Sequence, residues 1–249
     1  ISDLKKAGLL PSEVKELLEQ NLDFCRQITP LVSKTFTDRI SKKTLPAASE
    51  MLREAERIAA ETTKKPFTNE PPLAKIFADS LRIALDEVEI SDKTTPLSNW
   101  KKQFVATDDA KKIILKDEQR SIKLVAVSDV YDEYLREMLE QNFYDYDDMI
   151  LRVVHALEIF PSLKAELQER YQYIMVDEFQ DTNDAQMRLL RALTDYDGQP
   201  NIMVVGDDDQ AIFRFQGADI SNIQLFNDTY PEAKTIVLSE NYRSNRGVL

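Results

Sequence analysis

Two adjacent carboxylates, Asp177 and Glu178, stand directly after the apolar run at 173–176. Charges at the end of an apolar run are costly unless something uses them. An aspartate here can hold Mg²⁺, since magnesium in nucleotide sites takes one or two carboxylates together with phosphate oxygens. The glutamate can join it as a metal ligand or accept a proton from a water that attacks a γ-phosphate. An acidic pair at a strand end can also simply cap a helix.

A second polar segment follows the apolar run at 202–205 and contains Gln210, Phe213 and Phe215. The Gln210 amide can hydrogen-bond to a γ-phosphate, and the two phenylalanine rings offer flat faces on which single-stranded bases can stack. The alternative interpretation is structural. In that case an aspartate at 207–208 caps a helix and both rings are buried.

A third segment, after the apolar run at 235–238, carries Tyr242 and Arg243. An arginine in this position can reach a nucleotide and neutralise the charge that develops during phosphoryl transfer. The alternative is a surface salt bridge to one of the neighbouring acids. Taken singly, each segment therefore has both a catalytic and a structural interpretation.

The three apolar runs at 173–176, 202–205 and 235–238 are typical of strands buried on both faces of a parallel sheet. Helical patterns at about 183–195 and 219–227 separate them. This alternation predicts an α/β sheet, in which ligands bind at the carboxyl ends of the strands. We therefore expect the three polar segments to converge on one edge.

The chain before Arg170 has a different period and is predicted to be almost entirely helical. Apolar stripes with helical spacing run through four segments: 11–28, 47–62, 73–88 and 121–142. The proline-bearing connectors at 62–72 and 93–98 are predicted to be loops, because proline lacks the N–H that a helix interior requires.

The amino-acid composition excludes several kinds of site and several classes of protein. A single cysteine and a single histidine, Cys25 and His155, exclude an internal disulfide and a zinc site of the usual kind. No run of about 18 apolar residues and no signal peptide is seen, which predicts a cytosolic protein without a membrane span. The net charge of −12 is uneven: residues 1–125 sum to +2 and residues 126–249 to −14. The acidic half argues against phosphate contacts there, or is only a solvated face.

Together and in order, the three polar segments resemble motifs II, III and IV of superfamily 1 helicases of the UvrD/Rep/PcrA group. They read Val-Asp-Glu-Phe-Gln-Asp-Thr-Asn, Val-Val-Gly-Asp-Asp-Asp-Gln-Ala-Ile-Phe and Leu-Ser-Glu-Asn-Tyr-Arg-Ser. The resemblance covers 171–249. It extends to 143–150, which looks like the family's Phe-Asp-Phe-Asp-Asp-Leu helix start.

The resemblance implies an α/β fold of the P-loop NTPase type. Residues 141–249 would form the C-terminal portion of the first RecA-like motor domain, with a partial parallel sheet. Residues 1–140 would form an all-helical inserted subdomain. The phosphate loop, G-x-x-x-x-G-K-[ST], is absent from the sequence.

The resemblance also implies ATP and Mg²⁺ as cofactors and assigns roles to named residues. Asp177 would coordinate the ion, and Glu178 would act as the catalytic base. Further nucleotide contacts would come from Gln180, Gln210, Tyr242 on the adenine and Arg243 as an arginine finger. DNA contacts would come from Phe213, Arg214 and Phe215. The sequence departs from the family pattern at Gln216, where an arginine usually bridges towards the acidic pair, and at Ala211, which replaces a serine.

The function that the resemblance implies is an ATP-dependent DNA helicase and translocase, moving 3′ to 5′ on single-stranded DNA and unwinding duplex DNA. Both chain ends look cut from a longer protein. With the phosphate loop missing, we expect the chain alone to be inactive. Two alternatives remain: a non-catalytic helicase-like scaffold, or the motor part of a helicase–nuclease. Four lysines of the near-neutral half are either contacts for duplex DNA or only solvated surface groups: Lys101, Lys102, Lys111 and Lys112.

Overall fold

The computed structural model describes residues 1–68, 70–108, 112–196, 199–210, 221–240, 242, 245 and 247. Over these residues the chain is rich in α-helix and contains small sheets. None of the helices within these ranges is both long enough and apolar enough to span a bilayer. The predicted cytosolic location stays a prediction.

The first part of the chain is helical. Its helices are α1 (Ser2–Lys6), α2 (Pro11–Phe36), α3 (Leu45–Glu61), α4 (Leu73–Ser91), α5 (Thr95–Phe104) and α6 (Lys116–Glu140). A 3₁₀ turn lies at Lys42–Thr44, and a short antiparallel hairpin pairs β1 (Val105–Thr107) with β2 (Ile113–Leu115). The predictions of helices at 11–28, 47–62, 73–88 and 121–142 are thereby confirmed.

The second part alternates helix and strand. Its elements are α7 (Tyr146–Ile159), α8 (Pro161–Arg170), β3 (Ile174–Val176), α9 (Asp184–Thr194), β4 (Ile202–Val204) and α10 (Ser221–Thr229). Two 3₁₀ turns follow the strands, at Phe179–Asp181 and Asp208–Gln210. We refer to residues 11–140 as the helical unit and to residues 146–230 as the α/β unit.

The helical unit has an aromatic core. The ring of Phe77 on α4 makes edge contacts with Phe24, Trp100 and Phe104, at centroid distances of 5.2, 4.9 and 5.7 Å. The Trp100 indole N–H donates to Ser80 Oγ at 3.0 Å, so the one polar group of that ring is satisfied. The apolar stripe of α4 thus faces the centre of this unit.

The prediction of a loop at 93–98 was wrong, because helix α5 begins there. Pro96 occupies the first turn of α5. A proline in the first turn removes no intrahelical hydrogen bond, so it starts a helix as readily as it ends one. The helix is held by Leu97, Trp100 and Phe104, which are buried.

The predicted buried face of α6 is also corrected. Within the predicted stripe at 121–142, Leu124 and Val127 are exposed, whereas Tyr131 is buried as expected. The buried face also carries Ser128, and the Tyr131 hydroxyl donates to the Leu9 carbonyl at 3.1 Å. A serine lets α6 approach α2 closely, so the polar positions turn inward and part of the apolar stripe turns outward.

The sheet of the α/β unit is parallel, as predicted. Strands β3 and β4 pair in register, with Ile174 opposite Ile202. One face packs on a small core of four buried side chains: Phe179, Met187, Leu190 and Phe226. The other face presents Tyr173, Met175, Met203 and Val205 to solvent. This sheet is therefore covered on one side, where a both-sided burial was expected.

The third predicted strand, at 235–238, does not form. Its backbone is in no sheet within the described part of the chain, and Leu238 is 82% exposed. A strand needs a neighbour to pair its N–H and C=O groups, and in the described ranges β4 pairs only with β3. An apolar run is therefore not enough to form a strand when no neighbouring strand is there to pair with it.

A buried lysine ties α1 to the start of the α/β unit. Lys5 of α1 is 1% exposed and contacts Asp145 at 2.7 Å and Asp148 at 2.6 Å. Burial alone would lower the pKa of Lys5, but its hydrogen bonds to these two carboxylates outweigh burial and raise it. Helix α1 contacts α7 and α9, so it lies with the α/β unit although it precedes the helical unit.

Arg188 on α9 links the two units, and we call the region around this contact the seam. Its guanidinium contacts Glu13 of α2 at 2.6 Å and Glu158 of α7 at 2.7 Å. It also donates to the carbonyl of Gly8 at 2.6 Å. One side chain of the α/β unit therefore anchors the first turn of α2.

Candidate functional site

The first two polar segments meet at one edge of the sheet. Pairing continues beyond the strands, since Val205 N donates to Val176 O at 2.8 Å and Phe179 N donates to Val205 O at 2.9 Å. These bonds bring the segment that starts at Asp177 beside the segment that starts at Gly206. The predicted convergence is confirmed for these two strand ends.

Asp177 and Glu178 project from this edge as exposed side chains. Glu178 N donates to Asp177 Oδ1 at 3.0 Å, and Glu178 has a left-handed φ of 49°. Residues other than glycine adopt this conformation at a cost, and it is concentrated at functional sites. The pair does not cap α9, because Asn183 does so by accepting from Gln186 N at 2.9 Å.

The donor chemistry of this pair suits magnesium. Mg²⁺ prefers oxygen ligands and is bound in nucleotide sites by one or two carboxylates, with phosphate and water completing the shell. Within the ranges that the structure describes, no group of three or more His, Cys, Asp or Glu side chains is arranged to hold a metal. Two adjacent exposed carboxylates are what an ion shared with a phosphate needs.

A cavity of about 440 Å³ opens beside the acidic pair. Asp177 and Glu178 line it together with apolar side chains of α9, namely Met187, Leu190 and Leu193. The carboxylates therefore border an apolar pocket that opens to solvent.

Gln210 lies at the second strand end and turns back on Asp207. Its Nε2 donates to Asp207 Oδ2 at 2.6 Å, and Asp207 Oδ1 accepts from Asp209 N at 3.1 Å. The structural interpretation of Asp207 as a cap is thus confirmed for the 3₁₀ turn Asp208–Gln210. The contact of Gln210 with a γ-phosphate stays a prediction.

Gln180 links the two strand ends, a role that the sequence did not predict. Its side chain donates to Glu178 Oε2 at 2.7 Å and accepts from Asp207 N at 3.0 Å, and the residue is 2% exposed. The signal in the sequence is the glycine after the second strand. A Cβ at Gly206 would lie 2.7 Å from Gln180 Oε1, so only glycine leaves room for the amide.

Of the remaining predicted site residues, the structure describes Tyr242, and it shows no contact between Tyr242 and the acidic pair. Tyr242 is 89% exposed, and its hydroxyl donates to Glu240, which raises the pKa of the phenol. Four others lie outside the described residues: Phe213, Arg214, Phe215 and Arg243. Their roles stay predictions.

The four lysines considered as contacts for duplex DNA differ from one another. Lys101 Nζ donates to Phe36 O at 3.1 Å and lies 5.2 Å from the centre of the Phe36 ring, so it supports the core. Lys102 is exposed near the end of α5, before β1, and Lys112 is exposed in the turn of the hairpin. Lys111 lies outside the described residues.

Comparison with known proteins agrees with this arrangement. The UvrD/REP helicase N-terminal domain matches residues 7–231. The chain is 40% identical over 153 residues to the ATP-dependent DNA helicase PcrA of Staphylococcus epidermidis, covering 61% of this chain and 20% of that protein. It is 43% identical over 129 residues to the ATP-dependent DNA helicase UvrD1 of Mycobacterium bovis, covering 50% and 17%.

A third relative is the ATP-dependent DNA helicase PcrA of Bacillus subtilis, 43% identical over 123 residues, covering 49% of this chain and 16% of that protein. The matched stretches thus amount to a fifth or less of the length of these relatives. The family match spans both units and the seam between them. This chain belongs to the UvrD/REP helicase family, as part of its N-terminal domain.

Proposed function

We propose that this chain is part of an ATP-dependent DNA helicase and translocase and carries the groups that hydrolyse ATP. The observation that supports the proposal is the hydrogen-bonded edge at which Asp177 and Glu178 meet the segment of Gln210. Residues 141–249 would be the C-terminal portion of a RecA-like motor domain. Residues 1–140 would be its helical insertion, with α1 packed back on the motor.

In this proposal Asp177 holds Mg²⁺, with Glu178 beside it, and the bound ion would neutralise charge on the phosphates. The Glu178 carboxylate receives a proton from the attacking water. Its Oε2 accepts from Gln180, whereas Oε1 has no hydrogen bond within the described ranges and is available for that proton. Gln210 would report the γ-phosphate, and Arg243 would stabilise charge in the transition state.

DNA is the proposed substrate because the relatives are named DNA helicases. Phe213, Arg214 and Phe215 would contact single-stranded bases, and motion would run 3′ to 5′. Lys102 and Lys112 would meet duplex DNA from the helical unit. This chain alone, whose sequence has no phosphate loop, would neither bind ATP tightly nor hydrolyse it.

The proposal is tested by DNA-stimulated ATP hydrolysis in the complete protein that carries this chain. Glu178→Gln removes the base while keeping the shape of the side chain, so the hydrolysis rate should fall by about 10²- to 10⁴-fold. Glu169→Gln, at an exposed position of α8, is the matched control and should leave the rate unchanged.

One alternative has a specific motivation. Gln216 stands where the family usually has an arginine, which is compatible with a scaffold that no longer hydrolyses ATP. A complete protein without DNA-stimulated ATPase, or one whose ATPase survives Glu178→Gln, would reject the proposed catalytic role. A phosphate-binding G-K-[ST] loop elsewhere in the complete protein would favour the motor over the scaffold.

A further inference from the structure

Gln180 is a buried polar side chain whose amide nitrogen and amide oxygen each make one hydrogen bond. It lies in the 3₁₀ turn Phe179–Asp181 and is 2% exposed. Its Nε2 donates to Glu178 Oε2 at 2.7 Å, and its Oε1 accepts from Asp207 N at 3.0 Å. A buried amide is tolerated when its hydrogen bonds are made, so both bonds are needed to keep the side chain there.

The backbone on both sides of this amide is shaped to admit it. Glu178, two residues earlier, has a φ of 49°, which turns its side chain back towards Gln180. At Gly206 a Cβ would lie 2.7 Å from Gln180 Oε1, 3.3 Å from Gln180 N and 3.3 Å from Phe179 Cβ. A left-handed glutamate and an obligatory glycine therefore flank one bridging amide.

The bridge is part of a longer chain of hydrogen bonds. Asp207, whose N–H holds Gln180, also accepts from Gln210 Nε2 at 2.6 Å. The series Glu178, Gln180, Asp207, Gln210 connects the proposed base on one strand end to the proposed γ-phosphate contact on the other. No step in the series exceeds 3.0 Å.

The bridge restrains a side chain that would otherwise be free. Glu178 is exposed, and a solvent-exposed glutamate samples several rotamers. Gln180 bonds only Oε2 and, being neutral, orients the carboxylate without adding a positive charge. An arginine, which the family usually places where Gln216 stands, would add one.

We propose that Gln180 is a positioning residue for hydrolysis: it fixes the Glu178 carboxylate against the second strand end through Asp207 N. The proposal rests on the proposed function, in which Glu178 is the base. It replaces the predicted direct contact of Gln180 with the nucleotide, because both polar ends of the amide are occupied within the protein.

The test is steady-state, DNA-stimulated ATPase of the complete protein with two substitutions at Gln180. Gln180→Met keeps the volume and loses both bonds. Gln180→Glu keeps the acceptor for Asp207 N, loses the donor to Glu178 and sets two carboxylates side by side. Both should lower kcat by about 10- to 100-fold, a share of what a catalytic base contributes, with KM for ATP unchanged.

A purely structural role predicts a different pattern. In that case both substitutions would lower Tm, and kcat per folded molecule would stay unchanged in both. Gln168→Ala is the matched control, since Gln168 donates to the carbonyls of Ala192 and Asp195 far from the acidic pair. It should affect Tm but not kcat.

A second variant displaces the amide without removing it. Gly206→Ala puts a methyl group 2.7 Å from Gln180 Oε1, too close for the amide to keep its place, so it should lower kcat as Gln180→Met does. Should Gly206→Ala fail to fold, the Gln180 pair alone decides the matter.

A double-mutant cycle separates this inference from the proposed function. If Gln180 acts through Glu178, adding Gln180→Met to Glu178→Gln should cause no further loss of kcat. An unchanged kcat in Gln180→Met, with Glu178→Gln inactive, would overturn the inference alone. Retained activity in Glu178→Gln would overturn the proposed base and the inference with it.

Discussion

The two units of the chain differ in how completely they bury their apolar residues. The helical unit buries a continuous core of 20 residues that includes Phe77, Leu81 and Trp100. Among the described residues, the sheet core of the α/β unit consists of Phe179, Met187, Leu190 and Phe226, and one face of the sheet is exposed. The acidic pair and Gln210 belong to this second unit, so the larger buried core and these proposed hydrolytic groups lie in different parts of the chain.

This comparison predicts that a leucine-to-alanine substitution lowers the free energy of unfolding more in the helical core than in the sheet core. Leu81→Ala in the helical unit should destabilise by about 3 to 5 kcal/mol, and Leu190→Ala in the α/β unit by about 2 kcal/mol. The reason is that Leu81 is 0% exposed inside the large core, whereas Leu190 borders an open cavity that can relax. Urea unfolding followed by circular dichroism measures both. Equal costs would show that the α/β core is as tightly packed as the other.

The seam between the units is predicted to depend on Arg188. Arg188→Met leaves the Glu13 carboxylate, which is 12% exposed, with its hydrogen bond from Leu10 N but without the guanidinium, which should destabilise the protein by about 2 to 4 kcal/mol. The matched control is Arg82→Met, which breaks an exposed pair with Glu56 and should cost less than about 1 kcal/mol. If the two variants unfold at the same urea concentration, the buried pair does not hold the units together.

A smaller effect is expected for DNA binding by the helical unit. Reversing Lys102 and Lys112 to glutamate in the complete protein should weaken duplex binding and lower the salt slope by about 1 per lysine. Lys43→Glu, an exposed lysine of the same unit, is the control. The measurement is the affinity for duplex DNA at several salt concentrations, from which the slope of log affinity against log salt is obtained. An unchanged slope would leave these lysines as solvated surface groups.

The smallest expected effect is the dependence of stability on pH at the ion pair between Lys5 and Asp145. Burial would raise the pKa of Asp145, but the hydrogen bond from Lys5 and the N–H of Asp148 outweigh it and lower the pKa from 3.8. A carboxylate with a lowered folded pKa adds stability above its unfolded value, and that stability is lost as pH falls through the folded pKa. Tm should therefore drop below about pH 4, and less so in Asp145→Asn. The same drop in both would assign acid sensitivity elsewhere.

Much of the fold was predictable because the apolar periodicity of a helix is visible within a short stretch of sequence. The stripe at 73–88 and the runs before Asp177 and Gly206 were enough to place α4, β3 and β4. The predictions failed where the structure of a segment depends on a partner that is distant in the sequence. The segment 235–238 has strand composition but no neighbour to pair with among the described residues, and the face that α6 buries depends on α2.

Part of the site geometry was also predictable. Adjacent carboxylates after a strand led to the prediction that Asp177 and Glu178 lie at the sheet edge, and the structure places both there, while their catalytic roles stay a proposal. The role of Gln180 could not be read from the sequence. Its two hydrogen-bond partners belong to different strand ends, and only the folded chain brings Glu178 and Asp207 within reach of one amide.

The most direct test of the central claim is single-turnover hydrolysis of ATP by Glu178→Gln in the complete protein, with DNA and saturating ATP. We predict that the rate falls by about 10²- to 10⁴-fold, because the base that receives the proton is lost. Binding of a nucleotide analogue should change by less than about threefold. A hydrolysis rate close to that of the unmodified protein would contradict the account.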